Sequence, residues 1–158
     1  FLGTIIGSPL VGWFSDFIGR RRSLMIIGAL LSLLVLMLIM LVQGLHFYTL
    51  LVLFLLLGIF TSTQIISYPL IAESNPKHLT GTSTSLASIL IMGGGAVFQP
   101  LFGWLIDLHW DRVLIQGLPL YSPSNYLYGM AIMPIAFVVS LIAACCLRDT
   151  YCQLYSRE

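Results

Sequence analysis

One long interval of the chain carries no formal charge, and it limits the folds that are possible. No Asp, Glu, Lys or Arg stands between Arg22 and Glu73. About 20 consecutive apolar residues cross the hydrocarbon core of a bilayer as a helix. Four apolar blocks reach that length, at residues 23–43, 47–72, 82–106 and 126–147. We therefore expect four complete transmembrane helices, with residues 1–15 forming the end of a partial fifth.

The composition favours the same class of protein. The chain is 58% hydrophobic and 8% charged, with a mean hydropathy of +0.98, whereas soluble domains are about 25% charged. The segment LLSLLVLMLIMLV does not alternate as a membrane-spanning β-strand would, and helices satisfy their own backbone hydrogen bonds in lipid. The prediction is an all-α integral membrane fold. The net charge of +1 argues against a nucleic-acid partner.

The distribution of cations predicts an orientation. If the spans alternate, one side carries six basic residues and the other side only Arg112. The six are Arg20, Arg21, Arg22, Lys77, Arg148 and Arg157. Because basic loops stay in the cytoplasm, we expect the arginine side, with the C-terminus, to be cytoplasmic.

Polar residues concentrate in the second half of the 47–72 block, which reads TSTQIISYP. Thr61, Gln64 and Tyr68 follow helical spacing on one face, and Thr63 and Ser67 lie beside it. Polar groups in hydrocarbon cost free energy unless they are partnered. Hydrogen bonds between helices and a watery cavity both provide partners. We expect at least one of these residues to line a cavity.

Small residues mark two further helix faces. Gly3 and Gly7 form a GxxxG pattern in the first block, and Gly95, Gln99 and Gly103 follow at steps of four in the 82–106 block. Small residues let helices approach closely in membranes, so the glycines are candidate packing positions. Gln99 is a further cavity candidate. The 23–43 block has no polar face and is expected to face lipid, as is the 126–147 block with Ser140 as its main polar interruption.

Groups for catalysis or metal binding do not converge in the predicted topology. The three histidines fall in separate loops on two sides of the membrane, and the three cysteines cluster near the C-terminus without a His or carboxylate group of ligands. We expect no catalytic residue, no metal and no cofactor.

The connection after the first block resembles a known signature. Gly12, Asp16, Gly19, Arg20 and Arg21 stand in the pattern GxxxDxxGRRR. This pattern is similar to the signature loop of the major facilitator superfamily, in its second copy between helices eight and nine. The loop at residues 72–82, AESNPKHLTGT, and the tail RDTY at residues 148–151 are also similar to that family.

The resemblance implies the C-terminal half of a twelve-helix transporter, from the end of helix eight to helix twelve, whose N-terminal half is missing here. It implies alternating-access transport of a small organic solute near the bilayer midplane, and this half alone is not expected to transport. The resemblance also implies that helix ten, the 47–72 block, lines the cavity, and that helices nine and twelve lie outside. Helices eight and eleven are then expected to form the interface between halves.

The stretch GGGAVFQPLFGWLID and the tail look like bacterial metabolite symporters. They imply proton-coupled symport of an amino acid or similar metabolite across a bacterial inner membrane, with protons as candidate co-substrate. A drug/proton antiporter or a sugar porter of the same superfamily is the alternative. A small membrane scaffold or a membrane-enzyme subunit is the alternative from another class.

The five residues of the signature loop are expected to act as a cytoplasmic gate. By the family pattern, Asp16 docks on a helix of the missing half, aided by the positive end of a helix N-terminus. The alternative is an ordinary loop carboxylate that pairs with Arg20 or Arg21.

Overall fold

The computed structural model describes residues 1–42, 44–110 and 120–150, and the backbone of residues 114–115 and 118–119. In these parts the chain is helical apart from loops and one short antiparallel ribbon, β1 (Leu114–Ile115) with β2 (Leu118–Pro119). The α-helices are α1 (Leu2–Ile18), α2 (Arg21–Leu41), α3 (Phe47–Thr61), α4 (Ser67–Ser74), α5 (Thr80–Leu108), α6 (Pro123–Met130) and α7 (Ile132–Cys146). Short 3₁₀ helices occupy Ser62–Ile66 and Lys77–Leu79.

Four helical segments are long and apolar enough to cross a membrane, which confirms the predicted fold class. They are Arg21–Leu41, Phe47–Ser74, Lys77–Leu108 and Pro123–Cys146, and α1 is a shorter apolar helix. The ribbon between α5 and α6 was not expected in an all-α fold.

The connection between α1 and α2 is shorter than the sequence suggested. Gly19 has a φ of 67°, and its N–H donates to the Ser15 carbonyl oxygen at 3.0 Å. This left-handed glycine ends α1 only after Ile18, and α2 begins at Arg21. Asp16 therefore lies in the last turn of α1. The dipole of α1 does not stabilise this carboxylate, because the C-terminal end of a helix dipole is negative. Stabilisation by the N-terminus of another helix stays a prediction.

The span Phe47–Ser74 changes its helical geometry at its middle. The hydroxyls of Thr61 and Ser62 donate to the Gly58 carbonyl oxygen, at 3.1 and 2.7 Å. Such bonds compete with the regular backbone ladder. Pro69 has no N–H for the carbonyl of Ile65, four residues earlier. Together these features account for the 3₁₀ segment Ser62–Ile66, and the polar residues do not keep the single face that regular α spacing predicted.

A proline also interrupts the last span, Pro123–Cys146. Pro134 cannot donate to the Met130 carbonyl, and the helix breaks at Ala131, between α6 and α7.

The helices pack through small residues. α1 lies against α3, where a Cβ on Gly3 would meet the Leu55 carbonyl oxygen and one on Gly7 would lie 2.8 Å from the Ile59 Cα. A Cβ on Gly95 or Gly103 would meet no heavy atom within 4 Å, so that face of α5 is open within the described residues.

The expectation that the 23–43 block faces lipid is wrong for one side of α2. This helix packs against α3 and α7. Its buried residues include Gly28, Ala29, Ser32 and Leu36. Membrane helices can associate through close packing of small side chains without a polar face, so uniform hydropathy did not reveal this face.

Candidate functional site

A cavity of about 480 Å³ lies among α2, the Phe47–Ser74 span, α5 and α7. None of its lining residues is charged. The apolar lining includes the rings of Phe98, Phe102 and Phe137. The polar lining consists of Ser32, Thr61, Thr63, Gln64, Ser67 and Ser140. The cavity therefore offers hydroxyl and amide groups on an otherwise apolar and aromatic wall.

Three of the five predicted cavity residues line this space, namely Thr61, Gln64 and Ser67. Tyr68 and Gln99 do not. The Tyr68 hydroxyl accepts a hydrogen bond from Ser88 Oγ at 3.3 Å and so connects α4 to α5. Gln99 is exposed on α5, where the neighbouring Phe98 faces the cavity instead.

The polar groups of the lining differ in what they can offer a solute. Thr61, Thr63 and Ser67 donate their hydroxyl hydrogens to backbone carbonyls of their own span, at 2.6–2.8 Å for the shortest bond of each. These oxygens can still accept. The Gln64 amide makes no hydrogen bond to the described part of the chain and is exposed. Gln64 can therefore both donate and accept.

Ser32 and Ser140 also line the cavity, although neither was predicted to do so from the sequence. Ser32 Oγ is buried and has no hydrogen-bond partner among the described residues. Ser32 lies four residues after Gly28, and this small-residue spacing on an apolar helix was the available signal.

At the arginine end of the helices, Arg21 and Glu73 form a buried ion pair. Arg21 Nε lies 2.9 Å from both Glu73 carboxylate oxygens, and Nη2 lies 2.6 Å from Oε1. The two side chains are 8% and 10% exposed. This two-pronged geometry is the strong form of an arginine–carboxylate contact. The pair connects the start of α2 to the end of α4.

Further groups extend this pair into a cluster. Arg21 Nη1 lies 3.1 Å from Asp16 Oδ1 and donates to Ser15 Oγ at 3.2 Å. Thr150 Oγ1 donates to Glu73 Oε2 at 2.5 Å, and the Arg21 backbone N–H donates to Asp149 Oδ1 at 3.1 Å. The cluster thus holds together α1, α2, α4 and the segment after α7.

The other signature residues have different surroundings. Asp16 makes its pair with Arg21 while its side chain stays 70% exposed. Arg20 is exposed, and a Cβ on Gly12 would meet nothing within 4 Å. Arg22 donates from Nη2 to the Cys145 carbonyl oxygen at 2.6 Å. The signature loop therefore has one buried cation, Arg21, between two cations that no described carboxylate pairs.

The four long apolar helical segments define a multi-pass membrane protein by their length and composition. The family model of the Major Facilitator Superfamily matches residues 1–151, and the chain belongs to that superfamily. Its members are membrane transporters rather than enzymes, and this chain is a multi-pass membrane protein of that superfamily. No curated protein and no solved structure matches it.

Proposed function

We propose that the chain is the C-terminal half of a transporter that moves a small organic solute by alternating access. The observation that supports this most directly is the position of Gln64. Its unpaired amide stands in the 3₁₀ segment of the Phe47–Ser74 span, at a cavity of about 480 Å³. Substrate sites in such transporters lie at interrupted helices near the bilayer midplane.

The lining suggests the chemistry of the solute. Gln64 offers a donor and an acceptor, the hydroxyl oxygens accept, and the aromatic rings favour an apolar portion. We propose an amino acid or similar metabolite, taken up together with protons. No Asp, Glu, Lys, Arg or His among the described residues lines the cavity, so we place the proton-coupling carboxylate in the other half of the transporter. The largely apolar wall also supports a second candidate, a drug/proton antiporter.

Most of the cavity lining is apolar, so we expect the solute and a further helix of the transporter to cover different parts of it. We propose that the solute occupies the polar edge at Gln64, and that a helix from outside this sequence covers the apolar wall near Ser140. Single cysteines at these positions, labelled by a water-soluble thiol reagent, test this. Solute should protect the cysteine at position 64, whereas the one at 140 should stay unlabelled with or without solute. If solute also protected the cysteine at position 140, the solute would extend to the apolar wall near Ser140.

A transport assay tests the proposed site. Vesicles that contain the full-length protein are screened for uptake of amino acids, related metabolites and drugs, with and without a proton gradient. Gln64→Ala should raise the KM of the transported solute about fivefold, because a neutral hydrogen bond contributes about 1 kcal/mol. Gln99→Ala is the matched control, since Gln99 lies outside the lining. Equal effects of the two substitutions would contradict the assignment of Gln64.

The gate proposal concerns Asp16. Its side chain is 70% exposed even when paired with Arg21, which leaves it accessible to a helix of the other half. We propose that this contact holds the cytoplasmic side closed. Asp16→Asn should shift the transporter toward the inward-open state, measured as labelling of cysteines on each side of the membrane. If the ratio of inward-open to outward-open protein and the transport rate stayed unchanged, Asp16 would only pair with Arg21 and would not act as a gate.

The proposed location is the plasma membrane of a bacterium, with the arginine side and C-terminus in the cytoplasm. The excess of basic residues on that side supports the orientation. A fluorescent-protein fusion at the C-terminus should fluoresce in cells, and an alkaline phosphatase fusion there should be inactive. If the phosphatase fusion were active, the C-terminus would lie on the other side of the membrane and the proposed orientation would be wrong.

A further inference from the structure

The 3₁₀ segment of the Phe47–Ser74 span arranges three polar side chains in one row. Thr61, Gln64 and Ser67 follow one another at steps of three residues, across and beside the segment Ser62–Ile66. A 3₁₀ helix has three residues per turn, so side chains at this spacing lie one above the other, about 6 Å apart along the axis. All three line the cavity of about 480 Å³. This polar row therefore faces one and the same solute.

The polar row offers a solute more hydrogen-bond acceptors than donors. A hydroxyl group has one hydrogen to donate and two lone pairs that accept. Thr61 donates its hydrogen to the Leu57 carbonyl oxygen at 2.8 Å, and Ser67 donates its hydrogen to the Gln64 carbonyl oxygen at 2.6 Å. Both hydroxyl oxygens can therefore accept from a solute, but neither has a hydrogen left for it. The Gln64 side chain adds one carbonyl acceptor and the only N–H donors of the row.

The surroundings of the polar row favour a cationic group over an anionic one. Gln64 is exposed, and Thr61 and Ser67 are half-buried, so a solute can reach them. No Lys, Arg or His among the described residues lines the cavity, and a carboxylate would find only the Gln64 amide as a donor. The lining also contains three phenylalanine rings, and aromatic rings attract cations through their faces. An ammonium group, which only donates, therefore fits the row better than a carboxylate, which only accepts.

We propose that the polar row binds the protonated amino group of the solute and that the solute's carboxylate faces the other half of the transporter. This inference rests on the proposed function and adds the orientation of the solute and the group that is selected. The ammonium donates to Gln64 Oε1 and to the hydroxyl oxygen of Thr61 or Ser67, while the solute's own carboxylate provides the counter-charge. A solute without an amino group leaves these acceptors unpaired and binds more weakly.

Uptake into vesicles that contain the full-length protein tests the contact with the amino group. Each transported amino acid is paired with the carboxylic acid that lacks its amino group, as phenylpropanoic acid does for phenylalanine, and this analogue is added as a competitor. Thr61→Val replaces the hydroxyl by a methyl group of similar shape. It should raise the KM of the amino acid about tenfold, because one hydrogen bond to a charged group is lost, and leave the inhibition constant of the analogue unchanged. Neither constant depends on how much of the protein is folded.

Thr84→Val is the matched control for this substitution. Thr84 is half-buried on α5 and donates to the Thr80 carbonyl oxygen at 2.9 Å, as Thr61 does to Leu57, but it lies outside the cavity lining. The control should change neither constant. If Thr61→Val weakened the amino acid and its analogue equally, or if the transported solutes had no amino group, this inference would be overturned while the transport proposal stood. An unchanged KM for Gln64→Ala would instead contradict the proposed site, and this inference with it.

Discussion

The ion pair between Arg21 and Glu73 allows a quantitative prediction about stability. Glu73→Gln keeps the shape of the side chain and one acceptor oxygen but removes the charge that faces Arg21. Breaking a buried pair by removing one partner costs about 3–5 kcal/mol. Asp16 Oδ1 remains 3.1 Å from Arg21 Nη1, so part of the attraction persists. We therefore expect the lower end, a loss of about 3 kcal/mol in the free energy of unfolding.

Denaturant unfolding of the full-length protein in mild detergent measures this loss, with Asp16→Asn as the matched control. The control removes a carboxylate from the same arginine, but its side chain is 70% exposed, so it should cost about 1 kcal/mol or less. Replacing Arg21 by Met as well as Glu73 by Gln should cost less than the sum of the two single changes, because the double variant leaves no buried unpaired charge. Equal losses for Glu73→Gln and Asp16→Asn would refute the reasoning, as would strict additivity.

Three further predictions concern packing, burial and titration. Gly7→Ala should lower the free energy of unfolding by about 1–3 kcal/mol because its Cβ meets the backbone of α3, whereas Gly81→Ala, which has open space, should change it by less than about 1 kcal/mol. Ser32→Ala should stabilise the fold in the same assay, because Ser32 Oγ is buried and has no hydrogen-bond partner in the part of the chain that the structure describes. The hydrogen bond from Tyr121 to Asp107 at 2.6 Å raises the pKa of Tyr121 above its usual value. Asp107→Asn should therefore let one tyrosine ionise at lower pH in an absorbance titration.

Local sequence patterns predicted the parts of the fold that depend on local physics. Crossing a bilayer requires a run of apolar residues, so the blocks revealed four spans directly. The GxxxG spacing of Gly3 and Gly7 likewise predicted a helix contact, and both glycines lie against the backbone of α3. The end of α1 lies about one turn later than expected, at Ile18, where the left-handed Gly19 ends the helix. The last span breaks at Ala131 because of Pro134.

The loop cluster and the buried face of α2 could not be predicted in this way. Glu73 lies 52 residues from Arg21 along the chain, and Thr150 lies 77 residues from Glu73. No periodicity records such contacts. In the cavity, the 3₁₀ segment turns the side chains after Thr61 away from ideal α positions, which is why Thr61 and Gln64 share the lining and Tyr68 does not.

The 3₁₀ segment also bears on how far α4 can move relative to α3. A 3₁₀ helix rises about 2.0 Å and turns about 120° per residue, against about 1.5 Å and about 100° for an α-helix. If the five residues Ser62–Ile66 became α-helical, the span would shorten by about 2.5 Å and α4 would rotate by about 100° about its axis. Glu73, near the end of α4, could not stay on Arg21 through such a rotation. If a solute bound at Gln64 changed the 3₁₀ segment into α-helix, the rotation of α4 would separate Glu73 from Arg21 at the other end of that helix.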